Sequence, residues 1–247
     1  MLNISQMNQT LATLLGLLYT DGCVSPKGKH GWRMYFSNKS HALVYLFRDG
    51  MQEVFSLPAG RVRFDTTKDE LLRAIVDSKE VGTALTATYG TFRTLAYADG
   101  TLPAAELPIA KLKQSDCVGP FLQAAFSCDG GVHLYPARRD GPRGGSTWLI
   151  RSVYLACAHP ALRKQYLDLL ASTGIRAREV AQDGKIKIEA ESDIRQFQSR
   201  VGFVPGAIVT HSSKFWDGYE KQKLLDLLIE SYGKPSTIYT LPQFEVR

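Results

Sequence analysis

Several things are missing from this chain of 247 residues, and each absence narrows what it can be. No apolar stretch reaches the length of a membrane span, so no membrane-crossing helix is expected. The opening residues MLNISQMNQT have neither the basic region of a secretory signal nor the arginines of a transit peptide. The expectation is a chain that acts where it is made: a prokaryotic cytoplasm or nucleoid, or an organelle that encodes it. The four cysteines, Cys23, Cys117, Cys128 and Cys157, form no C-x-x-C pair and no framework spacing, which suits a reducing compartment. What is present is an ordinary globular composition, 44% hydrophobic, with a net charge of +6. That balance favours a polyanionic partner, nucleic acid or an anionic surface.

The stretch Leu14 to Gly22, LLGLLYTDG, is an apolar run that ends in an acid and a glycine. Ala12, Gly16 and Thr20 recur at i, i+4 and i+8, so one face of the expected helix carries only small side chains and can admit a second backbone. Gly22 is expected to supply a left-handed cap. Asp21 then sits where the helix dipole is negative and a carboxylate is disfavoured. A divalent cation would offset that placement, because hard metals take carboxylate and carbonyl oxygens together.

Strand alternation follows from Cys23 to Lys27 and from Trp32 to Ser37, around a basic turn at 28–31. Trp32, Met34 and Phe36 are expected to meet the core, with Arg33, Tyr35 and Ser37 on the other face. A helix is expected from Ser40 to about Gly50, then a hairpin turning at 57–60 whose strand alternates Arg61, Arg63 and Asp65 with Val62 and Phe64. Lys68 to Ser78 fits a helix striped by Leu71, Leu72, Ile75 and Val76. Residues 97–116, with two prolines and no clear period, read as a connector.

Beyond it the chain begins again. PFLQAAFSCDG carries Pro120, Ala124 and Cys128 at i, i+4 and i+8 just before Asp129-Gly130, and Asp129 lies 108 residues after Asp21. A strand, a basic turn holding Arg138, Arg139 and Arg143, a second strand from Thr147 to Leu155 and a helix from Pro160 to Ser172 repeat the first order. A hairpin at Asp183-Gly184 then places Lys185, Lys187 and Glu189 in the pattern of Arg61, Arg63 and Asp65. The pattern describes an internal two-fold repeat. Phe215 to Tyr232 reads as a core-packing helix without chemistry.

The paired runs LLGLLYTDG and LQAAFSCDG, each followed by strand, basic turn, strand and helix, resemble the LAGLIDADG homing endonucleases in their single-chain, two-motif form. The resemblance implies an α+β fold of two pseudo-symmetric αββαββα halves, 1–95 and 117–247, joined by a linker at 96–116. The motif helices would pack side by side, and two antiparallel sheets would form a saddle over double-stranded DNA. It implies metal-dependent double-strand cleavage by a monomer at a long asymmetric site, with Asp21 and Asp129 as metal ligands and the carbonyls of Thr20 and Cys128 beside them. The metal would be Mg2+, with Mn2+ as a substitute and Ca2+ as a non-productive one. Asn38 and Lys39 would position water and balance phosphate charge. The repeat puts Cys157 and Ala158 opposite them, so the two strands are expected to be cut unequally, with Lys214 a candidate basic group for the second site.

Groove contacts are expected from Arg33, Tyr35, Arg61, Arg63, Lys185 and Lys187, from the turn residues Lys27, Lys29, Arg138, Arg139 and Arg143, and from Arg176 and Arg178. Arg151, opposite Trp32 in the repeat, is ambiguous between core and groove. Alternatives on the same scaffold are an RNA maturase acting on intron RNA and a DNA-binding protein without cleavage. An intein is disfavoured because no His-Asn splice junction ends the chain.

Overall fold

The computed structural model describes residues 4, 6–28, 31–139, 146–210 and 213–241. Helix α1 (Gln9–Leu18) lies at its centre. Leu11, Ala12, Leu14, Leu15, Gly16, Leu17 and Leu18 are all buried, as expected of a helix that is apolar nearly all round. Asn8 caps it, its Oδ1 accepting the Leu11 N–H at 2.8 Å. The chain continues through β1 (Gly22–Lys27), β2 (Gly31–Asn38), α2 (His41–Phe55), β3 (Arg63–Thr66), β4 (Leu72–Asp77) and α3 (Lys79–Tyr89).

After α4 (Ile109–Gln114) the order returns as α5 (Val118–Asp129), β5 (Gly130–Arg139), β6 (Ser146–Ala156), α6 (Pro160–Ser172), β7 (Arg178–Val180), β8 (Lys185–Ile188) and α7 (Glu191–Arg200). α8 (Lys221–Gly233) and α9 (Ser236–Tyr239) complete it. The strands form two antiparallel sheets of identical connectivity, β1-β2-β4-β3 and β5-β6-β8-β7. Register makes the repeat explicit. Cys23 faces Tyr35 and Tyr35 faces Ile75 in the first sheet, while Gly131 faces Tyr154 and Tyr154 faces Lys187 in the second.

One face of each sheet packs on helices. Met34, Phe36, Ala74 and Val76 are fully buried in the first, and Leu134, Val153, Leu155, Ile186 and Ile188 in the second. Trp32 belongs to this face and lies on α3 at Gly82, where a Cβ would come within 2.2 Å of the Trp32 Cβ. Arg151 takes the same position in the second half and is helix-covered too: its Nε donates to Ser231 Oγ at 2.7 Å and its guanidinium lies 4.7 Å over the Tyr232 ring. The ambiguity over Arg151 is thereby resolved away from the groove.

Several expected elements fall elsewhere. The Lys68–Ser78 helix is instead strand β4, and the hairpin turn lies at 67–71, where the Thr67 N–H bonds the Leu71 carbonyl. As an inner strand β4 buries Ala74, Ile75 and Val76 in succession, and such a run cannot be told from a helical stripe by periodicity. The helix belongs one element later: Ser78 caps α3, whose Val81, Leu85 and Tyr89 face inward. Arg61 ends a short 3₁₀ turn, Ala59–Arg61, so it precedes β3. The helix expected from Phe215 starts at Lys221, because Gly218 (φ 76°) turns the chain first. The connector holds α4 and is tied down on both sides: Tyr19 Oη donates to the Glu106 carbonyl at 2.7 Å, and His159 Nε2 meets the Pro103 carbonyl at 2.9 Å.

Candidate metal centre and nucleic-acid interface

The two motif helices touch backbone to backbone. A Cβ on Gly16 would come within 2.5 Å of the Phe121 carbonyl oxygen and 2.8 Å of the Ala124 Cβ, so nothing larger than glycine fits at the crossing without a shift. This is the close approach that the small-residue face allows. Gly22 acts differently from expectation, and Gly130, for which no cap was expected, behaves in the same way. Gly22 begins β1 without a left-handed φ, and Gly130 is extended at φ −99°, ψ 175°. Their lack of a side chain serves proximity: a Cβ at Gly22 would lie 2.6 Å from Leu18 Cα, and one at Gly130 would lie 2.5 Å from the Phe126 carbonyl. The chain leaves each helix directly into a strand, and only glycine passes so close to the last turn.

That pairing brings Asp21 and Asp129 into hydrogen-bond contact. Burial pushes the Asp129 carboxyl up to about 7, and repulsion from Asp21 adds to the shift. Asp21 is also raised by burial, with partial relief from Asn38, whose Nδ2 donates to Asp21 Oδ2 at 2.7 Å. Asn38 is itself fixed, its Oδ1 accepting the Ser40 N–H at 2.7 Å. Burial and mutual repulsion thus disfavour two negative charges on the pair and raise its hold on a proton.

Lys221 was not anticipated from the sequence. It opens α8, is only 6% exposed, and its Nζ donates to the carbonyls of Ser127 (2.7 Å), Cys128 (3.2 Å) and Gly130 (2.7 Å). It thus neutralises the negative end of α5, and its charge lowers both aspartates. A helix-start lysine ordinarily reaches solvent, so nothing local marks this one. It also corrects the reading of this helix as packing alone.

Desolvation, and after it the charge of Asp21, push the half-buried Cys128 thiol up and keep it protonated. Its carbonyl already accepts from Lys221. Thr20 turns its hydroxyl back onto the Gly16 carbonyl at 2.9 Å, so the carbonyl is the donor it can offer a metal. Among the described residues no group of three or more His, Cys, Asp and Glu side chains converges; the donor set is two carboxylates with helix-end carbonyls.

Asp129, Lys221 and Lys214 share a cavity of about 520 Å³ with His133, Tyr154 and Lys185. Lys39 directly follows β2, beside Asn38. Cys157 and Ala158 line a separate cavity of about 280 Å³, again with Asp129.

Register puts Lys27, Arg33, Tyr35, Arg63 and Arg73 on the face of the first sheet turned away from the core, as expected for all but Arg73, which went unnoticed. Lys27, Arg33 and Arg63 converge on Asp77, at 2.6, 2.8 and 2.6 Å. These contacts hold the Asp77 carboxyl well below the usual range. Arg73 pairs with Asp65 and stands 5.6 Å over the Tyr35 ring.

In the second sheet Lys185 takes the place of Arg73 and lies 5.2 Å over Tyr154, while Arg178, paired with Glu189, takes the place of Arg63. Lys185 and Lys187 thus correspond to positions 73 and 75, one strand away from the match to Arg61 and Arg63 drawn from the sequence. Arg176 precedes β7 and pairs with the buried Asp193. Arg138 shares its register with Val132 and Leu134, on the core side, but is exposed at the strand end. Arg139 is at the last position of β5, paired with Ser146. Lys29 and Arg143 lie outside the described residues.

No family model matches the chain, and no curated protein matches it in sequence. Solved structures match in fold. Mesophilic variants of the homing endonuclease I-DmoI superpose with a TM-score of 0.51 at 14% identity, covering 81% of this chain and 95% of that one. The LAGLIDADG meganuclease I-AabMI bound to uncleaved DNA gives 0.53 at 11% identity over 94% of each chain. I-DmoI in complex with DNA and Mn gives 0.50 at 14%, covering 78% of this chain and 96% of the other. The fold is that of the LAGLIDADG homing endonucleases, as the paired motifs implied.

Proposed function

We propose that the chain is a site-specific endonuclease that hydrolyses phosphodiester bonds in both strands of a long, asymmetric DNA site, acting as a monomer. The observation that carries this reading is the contact between Asp21 and Asp129, at the ends of two tightly packed helices and beside two sheets with basic outer faces. Proteins of this fold are solved with DNA and Mn and with DNA and Ca.

The residues present fit a divalent metal. Two half-buried carboxylates repel each other, their oxygens are hard donors, and helix-end carbonyls lie next to them. Asp21 and Asp129 would hold it, with the Thr20 carbonyl adjacent and the Cys128 carbonyl shared with Lys221. Bound there, Mg2+ would supply charge neutralisation at the scissile phosphate and acidify attacking water. Mn2+ would substitute, and Ca2+ would bind without turnover.

The chain's own residues do the rest. Asn38 orients Asp21 by direct donation, Lys221 balances the half-buried negative charge, and Lys39 and Lys214 face the phosphate charge. Arg33, Arg63 and Arg73 of the first sheet and Lys185, Lys187 and Arg178 of the second would meet the major groove and its phosphates.

The test is a supercoiled plasmid carrying the two sequences that flank the reading frame, rejoined. Wild type with Mg2+ linearises it; Asp21→Asn or Asp129→Asn does not. Retained cutting in both variants would sink the metal assignment. Tight binding of that DNA without cleavage, or stimulation of splicing of the parent intron RNA, would replace the nuclease reading.

A further inference from the structure

The two halves hold their acids differently. On the register that aligns Tyr35 with Tyr154, Asn38 corresponds to Cys157, the cap residue Ser40 to the cap residue His159, and Phe47 of α2 to Tyr166 of α6. In the first half Asn38 donates to Asp21, and Phe47 is fully buried against Phe36, ring centroids 5.6 Å apart. In the second half Cys157 offers no such donor, since its thiol turns to the His159 carbonyl at 3.6 Å.

Tyr166 stacks on Phe121 at 6.1 Å, the kind of packing a phenylalanine would make equally well. Yet it carries a hydroxyl that is buried with no hydrogen-bond partner among the described residues. Leaving such a group unpaired forfeits its solvation without return, so a tyrosine here calls for a partner that the described protein atoms do not supply. The residue lines the cavity of about 280 Å³ shared with Asp129, Cys157, Thr20 and Tyr19, which has room and polar groups for water. Burial, then the proximity of Cys157 and Asp129, keeps the phenol protonated, so it is a donor.

We propose that Tyr166 is the positioning residue for Asp129, donating a hydrogen bond to it through water held in this cavity, as Asn38 does for Asp21 by direct contact. Asparagine with phenylalanine in one half and cysteine with tyrosine in the other are two solutions to one requirement. The inference rests on the proposed function, in which each acid serves the cutting of one strand.

Tyr166→Phe tests it, and phenylalanine is the residue that the other half already carries there. Melting temperature and DNA affinity are expected to be unchanged. Nicking of one strand slows about tenfold, the scale of one lost hydrogen bond, while the other strand is cut at the wild-type rate. Adding Cys157→Asn to Tyr166→Phe restores the slowed strand. In metal-free protein the Asp129 carboxyl ¹³C resonance moves on Tyr166→Phe, and the Asp21 resonance moves less. Equal slowing of both strands, or no slowing, overturns the proposal. Should wild type cut neither strand, the nuclease reading falls, and the Asp129 resonance decides this inference by itself: a shift supports the contact and an unmoved resonance ends it.

Discussion

Asp129 keeps its proton in the folded chain up to about pH 7, against an ordinary value of 3.8. Between those values the folded state binds the extra proton, so the stability from this group is full below about pH 4 and is lost as the pH rises through 7. His133 acts in the opposite sense. Burial, then Lys187 and Lys185, push it down to about 4, so its contribution is present above 6.5 and lost as the pH falls through 4. The informative quantity is therefore the melting-temperature advantage of Asp129→Asn over wild type in chelator, which is expected to grow from pH 5 to pH 8. A flat difference would contradict the half-buried pair. Lys221→Met is expected to leave three carbonyls without their donor and two acids without their cation. Loss of nicking activity beyond the loss of stability, read by nicking assay and denaturant unfolding, separates its charge role from its packing.

At the scale of elements, the crossing of α1 and α5 decides whether the acids meet. Gly16→Ala places a methyl against the Phe121 carbonyl and the Ala124 Cβ and is expected to destabilise by about 1–3 kcal/mol, measured by urea unfolding. The small faces were legible in the sequence because Ala12, Gly16 and Thr20, and Pro120, Ala124 and Cys128, share one spacing. The strand pair after each motif was legible because alternation is local. Strand β4 was not, because an inner strand loses its alternation. Lys221 was not, because its partners lie 91 to 94 residues earlier in the chain. Gly22 was recognised as necessary but for the wrong reason: the sequence marks a glycine without saying whether backbone angle or proximity demands it.

For the whole molecule, the outer cations of the two sheets are held unequally. In the first sheet Lys27, Arg33 and Arg63 all bind Asp77, which fixes their geometry and cancels part of their charge. Asp77→Ala is expected to raise affinity for random duplex DNA several-fold at low salt and to steepen the salt dependence of binding, measured by fluorescence anisotropy across a salt series. An unchanged slope would mean that these cations do not reach DNA. The repeat that organises the molecule was visible in the sequence, whereas the pairing of these charges was not, since it follows from a register that no spacing specifies.

Two acids that repel each other when alone would be reconciled by a divalent cation held against DNA. The most direct measurement is anomalous scattering from crystals of the chain with its target duplex and Mn2+. A Mn2+ peak is expected within bonding distance of both the Asp21 and the Asp129 carboxylates, beside a backbone phosphate. A well-ordered complex with no metal between the two carboxylates and the phosphate would contradict it.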